Sequence, residues 1–96
     1  MDALAAELLV ALESFVTSTD RLAVLYESFY NPYFDKADTS QIVEPTLNFF
    51  DEVAERIDFT DDKPDPASRR HGYRSTTELR AWLRDRLPDF LPAQGV

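Results

Sequence analysis

The chain contains no cysteine, and it has only two glycines and one histidine. Without cysteine, neither a disulfide framework nor a thiolate metal site can form, which suits a reducing compartment. With glycine only at Gly72 and Gly95, the sequence has no glycine-rich phosphate loop. These absences exclude several common functional sites.

The amino-terminal stretch MDALAAELLVALESF lacks the basic region of a signal peptide and carries Glu7 and Glu13. Its apolar run is also too short to span a membrane as a helix. We therefore expect neither a signal peptide nor a membrane anchor, and we predict a cytoplasmic protein.

Length and composition predict one folded domain over residues 1–96. The chain is 44% hydrophobic and contains seven Phe, four Tyr and one Trp, which is too apolar for a disordered segment despite a net charge of -8. The charge is uneven along the chain. Residues 35–65 carry ten acids against three bases, whereas residues 66–96 carry six arginines against three acids. The middle of the chain is therefore acidic and its end is basic.

Apolar residues recur at helical spacing in four segments. The first predicted helix covers residues 3–16, and the second begins near Leu22. Because proline lacks an N–H and disfavours a helical residue before it, Asn31-Pro32 predicts a kink or stop, with residues 31–40 as a connector. Pro45 fits within the first turn of a third helix that begins near Glu44.

The third helix is predicted to bury one side, which consists of Ile42, Val43, Leu47, Phe50, Val53, Ala54 and Ile57. Residues 58–74 show neither a helical nor a strand period and contain two prolines and a glycine, so they predict a loop. The sequence STTE at 75–78 has the capping-box pattern and predicts a last helix that ends at Pro88. The predicted fold is all-α, an antiparallel four-helix bundle with a long acidic loop between helices three and four.

The sequence does not favour an enzyme or a cofactor site. His71 is the only histidine, and it lies in a basic stretch, RRHGYR, without a second catalytic residue beside it. The acids around residues 58–65 lack the spacing, central glycine and final glutamate of a calcium loop, so we predict no metal site.

A basic patch with an aromatic residue, Arg69, Arg70 and Arg74 around Tyr73, could indicate nucleic-acid binding. The strongly negative chain would repel a phosphate backbone, so we predict no such binding. The alternative is that these arginines pair with neighbouring acids across the loop. Most aromatic residues of the second helix should be core, with Tyr33 and Phe34 as candidate exposed anchors.

The acidic residues have two interpretations. They are a solvated face, or they are an anionic surface that docks into a basic cleft and imitates nucleic-acid phosphates. Prolines at positions 64 and 66 would stiffen that surface before binding. The candidate partner-binding residues are Glu52, Glu55, Asp58, Asp61, Asp62 and Asp65.

The stretch IVEPTLNFFDEVAERIDFTDDKPD, followed by a variable segment with a tyrosine and then TELRAWLRDRL, resembles the colicin D-type immunity proteins, which include relatives in contact-dependent growth inhibition. The resemblance covers residues 42–87. It implies an antiparallel four-helix bundle that binds the C-terminal nuclease domain of a cognate tRNA-cleaving toxin and covers its active site with acidic side chains. Glu55, Asp58, Asp61 and Asp62 occupy the matching positions, and Glu52 and Asp65 are further candidates. The basic SRRHGYR stretch departs from the family pattern.

The sequence therefore predicts a non-enzymatic inhibitor of a ribonuclease toxin, a monomer that forms a 1:1 complex. The alternative is an acidic helical adaptor or regulatory module without a toxin partner. Asp61 and Asp62 are both expected to be exposed, so that charge reversal at both leaves the fold intact.

Overall fold

A computed structural model describes residues 3–35 and 42–91 of the chain. The protein is mostly helical, as the periodicity predicted. Its helices are α1 (Ala3–Val16), α2 (residues 22–35), α3 (Glu44–Asp58), α4 (Pro66–Arg70) and α5 (Thr76–Arg86), and α5 continues into a 3-10 turn at Leu87–Asp89. Two short strands, β1 (Thr60–Asp61) and β2 (Arg74–Ser75), pair in parallel.

Helix α2 does not stop at Asn31-Pro32, which is a correction to the predicted connector over residues 31–40. A π-helical turn at Tyr26–Tyr30 leads directly into the α-helical segment Asn31–Asp35. The N–H of Asn31 donates to the carbonyl of Tyr26, the longer bond of a π-turn. That wider turn lies where the ring of Pro32 would otherwise meet the preceding carbonyls, so the helix passes the proline. Residues 36–40 of the predicted connector lie outside the described residues.

The predicted loop over residues 58–74 contains regular structure. Thr60 pairs with Arg74 and Asp61 with Ser75, which brings the two ends of this segment together. Between them lies the single-turn α4, and Gly72 then reverses the chain with a positive φ of 95°. Sequence periodicity missed these elements because none exceeds five residues.

Four helices share one hydrophobic core. Its largest fully buried side chains come from α1, α2, α3 and α5, among them Leu12, Phe15, Phe29, Phe50 and Leu83. The rings of Phe29 and Phe50 meet edge to face at 5.6 Å and join α2 to α3. The predicted apolar side of α3 needs two corrections: Val43 is 68% exposed, and Phe49 is buried although the pattern omitted it. Phe49 is buried because Phe90 stacks on it at 4.1 Å.

Helix α5 begins with the predicted capping box, which is confirmed. The Glu78 N–H donates to the Ser75 hydroxyl oxygen at 3.1 Å, and the Ser75 N–H donates to the Glu78 carboxylate at 3.5 Å. Arg80 then joins α5 to the end of α1. Its guanidinium lies 4.3 Å above the Phe15 ring and donates to the carbonyls of Phe15 and Asp20.

Within residues 3–35 and 42–91, no helix is long and apolar enough to cross a membrane.

Candidate partner-binding surface

Three acids of α3 share one helical face. Asp51, Glu55 and Asp58 are spaced four and three residues apart, which places them in a row, and all three are exposed. We call these residues the acidic stripe. Asp61 follows in β1 and is also exposed.

The acidic stripe is not neutralised by any arginine or lysine of the described segments. The four ion pairs found there all involve Glu52 or Glu78. Glu52 lies beside Arg86 at 3.2 Å and Arg56 at 3.8 Å. Like charges repel, so the stripe carries an unfavourable energy that a positively charged partner would relieve.

The six predicted site residues therefore divide into different roles. Glu52 is a partner of arginines rather than a free charge, because Arg86 donates to both of its carboxylate oxygens, at 3.2 and 3.3 Å. The Glu55 side chain makes no hydrogen bond or ion pair with a described residue. Asp61 accepts only from the backbone N–H of Lys63, at 3.2 Å, in a local turn.

Asp62 holds separate parts of the chain together. Its Oδ1 accepts from the Thr76 hydroxyl at the start of α5 and from the Leu22 N–H, at 3.4 Å, at the start of α2. The residue before Leu22, Arg21, provides no side-chain cap, so Asp62 supplies a carboxylate cap from 40 residues away. Asp62 is exposed as predicted, but these two contacts predict that reversal of its charge destabilises the fold.

Asp65 is the N-cap of α4. Its carboxylate accepts from the Ser68 N–H at 2.7 Å, and this bond holds the pKa of Asp65 below its usual range. The residue is exposed, but its first role is to start a single-turn helix. Of the six predicted residues, Glu55, Asp58 and Asp61 present their charge most freely.

Two tyrosines of α2 donate to the acidic stripe. The Tyr30 hydroxyl donates to Asp58 at 2.7 Å, and that hydrogen bond raises the pKa of Tyr30 to about 12. The Tyr33 hydroxyl donates to Asp51, and burial together with this bond raises the pKa of Tyr33. The earlier tyrosine, Tyr30, pairs with the later acid, Asp58, and the later tyrosine, Tyr33, pairs with the earlier acid, Asp51. Helices α2 and α3 therefore run in opposite directions here.

The two predicted aromatic anchors separate. Tyr33 is 4% exposed and belongs to the core, whereas Phe34 is 59% exposed. Phe34 begins a row of rings: it lies 4.9 Å from Tyr30, which lies 4.8 Å from Tyr26. The sequence marked both residues as candidates because they follow the proline, and only the direction of each side chain distinguishes them.

A second pair of rings lies outside α2: Tyr73 meets Phe59 edge to face at 5.5 Å. Burial raises the pKa of Tyr26, and the nearby Asp58 and Tyr73 add to this effect. We call Phe34, Tyr30, Tyr26, Tyr73 and Phe59 the aromatic belt. Phe59 is 46% exposed, so the belt reaches solvent at both ends.

Two arginines, one in the last turn of α4 and one in β2, pair with α5 rather than with the acidic stripe. Arg69 lies 2.9 Å from the Glu78 carboxylate and Arg74 lies 3.7 Å from it. Arg69 is the main cause of the lowered pKa of Glu78, and the Ser75 bonds add to it. The predicted pairing of these arginines with acids is found for Arg69 and Arg74, at Glu78, whereas Arg70 forms no ion pair with a described residue.

A shallow groove lies beside the belt. One depression of about 220 Å³ lies over Trp82 and Leu79, and a second of about 360 Å³ reaches His71, with Phe59 lining both. Arg56 stacks on Trp82 at 4.1 Å and forms one wall. His71 is exposed in this groove, and the described residues contain no group of three acids or histidines placed to hold a metal ion.

Comparison with protein-family models, with curated proteins and with solved structures gives no match for this chain. The resemblance to the colicin D-type immunity proteins therefore stays a prediction. The acidic stripe, the aromatic belt and Asp61 are the features of this surface that a binding partner would meet.

Proposed function

We propose that this chain is a non-enzymatic immunity protein that neutralises a bacterial ribonuclease toxin by covering its basic active site. The partner is the toxin's C-terminal nuclease domain, bound 1:1 in the cytoplasm. The four long helices act as an antiparallel bundle that presents the acidic surface, as in the family that the sequence resembles.

One observation carries the proposal: the acidic stripe and Asp61 have no cationic partner among the described residues. The arginines near these acids are engaged with Glu52 and Glu78 instead. A nuclease that binds tRNA needs positive charge in its cleft, and a fixed row of carboxylates complements that charge as phosphates do. Complementary potentials also speed encounter.

The first experiment is a pull-down from the source organism with this protein as bait, eluted with stepped salt. We expect a basic nuclease domain to elute at high salt, because screening weakens contacts between exposed charges. Its cleavage of tRNA is then titrated with this protein, and inhibition should be complete at equimolar protein. A captured nuclease that still cleaves tRNA at excess protein would contradict the proposal.

Charge reversal locates the surface. We expect Glu55→Lys with Asp61→Lys to keep the fold and to abolish inhibition, because among the described residues neither side chain makes an ion pair or a long-range hydrogen bond. The matched control is Glu13→Lys with Asp85→Lys, which makes the same change in net charge at two exposed positions on α1 and α5. Equal loss of inhibition in both double variants would mean that overall charge, rather than this surface, governs binding.

A second candidate is an adaptor without a toxin. A depression of about 340 Å³ between α1 and α2, lined by residues such as Ala11, Phe15 and Val24, favours it because an apolar side chain of a partner fits there. Salt separates the two candidates: adaptor binding should persist as salt rises, whereas binding through carboxylates should weaken steeply.

A further inference from the structure

We propose that the aromatic belt is an arginine-binding surface, so that a basic segment of the protein partner docks with its guanidinium groups on the tyrosine and phenylalanine rings. This inference rests on the proposed function for the nature of the partner, and it adds which cation is recognised and by which side chains. The acidic stripe attracts a basic segment, and the aromatic belt makes the surface prefer arginine to lysine.

The protein's own arginines cover other aromatic rings. Arg56 lies 4.1 Å above Trp82, and Arg80 lies 4.3 Å above Phe15. Arg86 lies 5.4 Å from Trp82 and 5.8 Å from Phe49. In the described segments, no arginine or lysine lies over a ring of the belt. Arginines of this protein therefore stack on Trp82, Phe15 and Phe49, but within the described segments none stacks on the rings of the belt.

A carboxylate borders the belt at Tyr30. The Tyr30 hydroxyl touches Asp58 at 2.7 Å, so this carboxylate lies at the edge of a ring in the belt. A planar guanidinium over the ring can donate to a carboxylate at its edge, which a lysine ammonium does less well. The hydrogen bond also fixes the orientation of the Tyr30 ring before binding, which lowers the entropy cost of binding.

Phe34 is the end of the belt where a partner gains most. It is 59% exposed and rests against Tyr30 at 4.9 Å and Tyr33 at 5.2 Å. Tyr33 is held by Asp51, so Phe34 lies on a supported ring rather than on a free loop. Aromatic residues, phenylalanine among them, are enriched at the cores of protein interfaces. Charge complementarity at Asp51, Glu55 and Asp58 selects a basic segment over an apolar one.

The test uses the full chain, labelled with 15N, and two synthetic peptides of about twelve residues, one alternating Arg and Gly and the other alternating Lys and Gly. Both peptides carry the same charge, so electrostatic attraction alone binds them equally. We expect the arginine peptide to bind about fivefold more tightly, which corresponds to about 1 kcal/mol of stacking. Its largest chemical-shift changes should fall on Tyr26, Tyr30, Phe34 and Tyr73.

Variants then distinguish the contribution of the aromatic belt from that of the acidic residues. Phe34→Ala should remove most of the preference for arginine and leave binding of the lysine peptide unchanged. Val10→Ala, at a position 66% exposed on α1, is the matched control and should keep the preference. The double variant Glu55→Gln with Asp61→Asn should weaken the binding of both peptides to the same extent. Equal binding of the two peptides by the unchanged protein, or shifts confined to residues outside the belt, would overturn the inference.

The outcomes also separate this inference from the proposed function. If inhibition of a toxin requires Glu55 and Asp61 but the protein shows no preference for the arginine peptide, the arginine-binding proposal is wrong and the immunity function stands. If the preference for the arginine peptide depends on Phe34 but no nuclease is captured, the arginine-binding proposal stands and the immunity function is wrong.

Discussion

Asp61 and Asp62 are neighbouring acids that the sequence does not distinguish, and the structure predicts that only the loss of Asp62 lowers the stability of the fold. Asp62 accepts from the Thr76 hydroxyl and from the Leu22 N–H, whereas Asp61 accepts only from Lys63 two residues away. We therefore expect Asp62→Ala to destabilise the protein and Asp61→Ala to leave its stability nearly unchanged. Both variants lose one negative charge, so relief of overall repulsion cancels in the comparison.

The size of the effect follows from the two bonds. A hydrogen bond to a charged group contributes roughly 1.5–3 kcal/mol, and loss of a helix N-cap costs about 1 kcal/mol. Because Asp62 is exposed and its bond to Leu22 is long at 3.4 Å, the lower part of this range applies. We expect about 1.5 kcal/mol for Asp62→Ala and less than about 0.5 kcal/mol for Asp61→Ala.

Urea unfolding followed by circular dichroism measures the difference. With a slope of about 1.5 kcal/mol per molar, the midpoint should fall by roughly 1 M for Asp62→Ala. In a thermal melt, the same loss of stability should lower the melting temperature by about 6–12 °C for a domain of this size. Asp62→Asn should lie between the two alanine variants, because its amide oxygen can still accept but carries no charge. Equal midpoints for Asp61→Ala and Asp62→Ala would refute the assignment of Asp62 as the cap of α2 and the partner of the Thr76 hydroxyl.

Three further predictions concern the other contacts. Arg80→Met should cost about 2–3 kcal/mol in urea unfolding, because Arg80 donates to Phe15 and Asp20 at the end of α1, whereas exposed Arg84→Met should change little. Ser75→Ala should cost about 1 kcal/mol through loss of the capping box, with Thr77→Ala on the same turn as control. The folded-state pKa of Tyr30 is raised from 10.0 to about 12 by its bond to Asp58, so its stabilisation is complete below pH 10 and is lost as pH rises through about 12. Tyr30→Phe should flatten the alkaline decline in stability over that window, and no difference from the unchanged protein would contradict the bond.

Local signals in the sequence predicted much of the fold. The bounds of α1 at residues 3–16 and the start of α3 at Glu44 match the structure, because amphipathic spacing and a first-turn proline act over a few neighbouring residues. The capping box was also predictable, since Ser75 and Glu78 lie within one turn. The continuation of α2 through Pro32 was not, because it depends on a π-turn that no sequence pattern marks.

The candidate site was predictable as a region but not residue by residue. The acidity of residues 51–65 is a matter of composition, so the sequence identified the region. The sequence could not assign a role to each acid, because Glu52 meets Arg86 across 34 residues and Asp62 meets Leu22 across 40. Of the aromatic belt, the sequence marked only Phe34 as an exposed anchor, since Tyr73 and Phe59 lie in a segment without periodicity.

The sequence by itself determined that this is a small, acidic, cysteine-free helical protein with an excess of carboxylates in its middle, because composition and short-range spacing suffice for those properties. Only the tertiary structure decided which carboxylates are free to meet a partner. That outcome depends on which distant arginines and backbone N–H groups the folded chain brings within hydrogen-bond distance of each acid. Glu52, Asp62 and Asp65 are engaged in this way, and the acidic stripe and Asp61 keep an uncompensated charge.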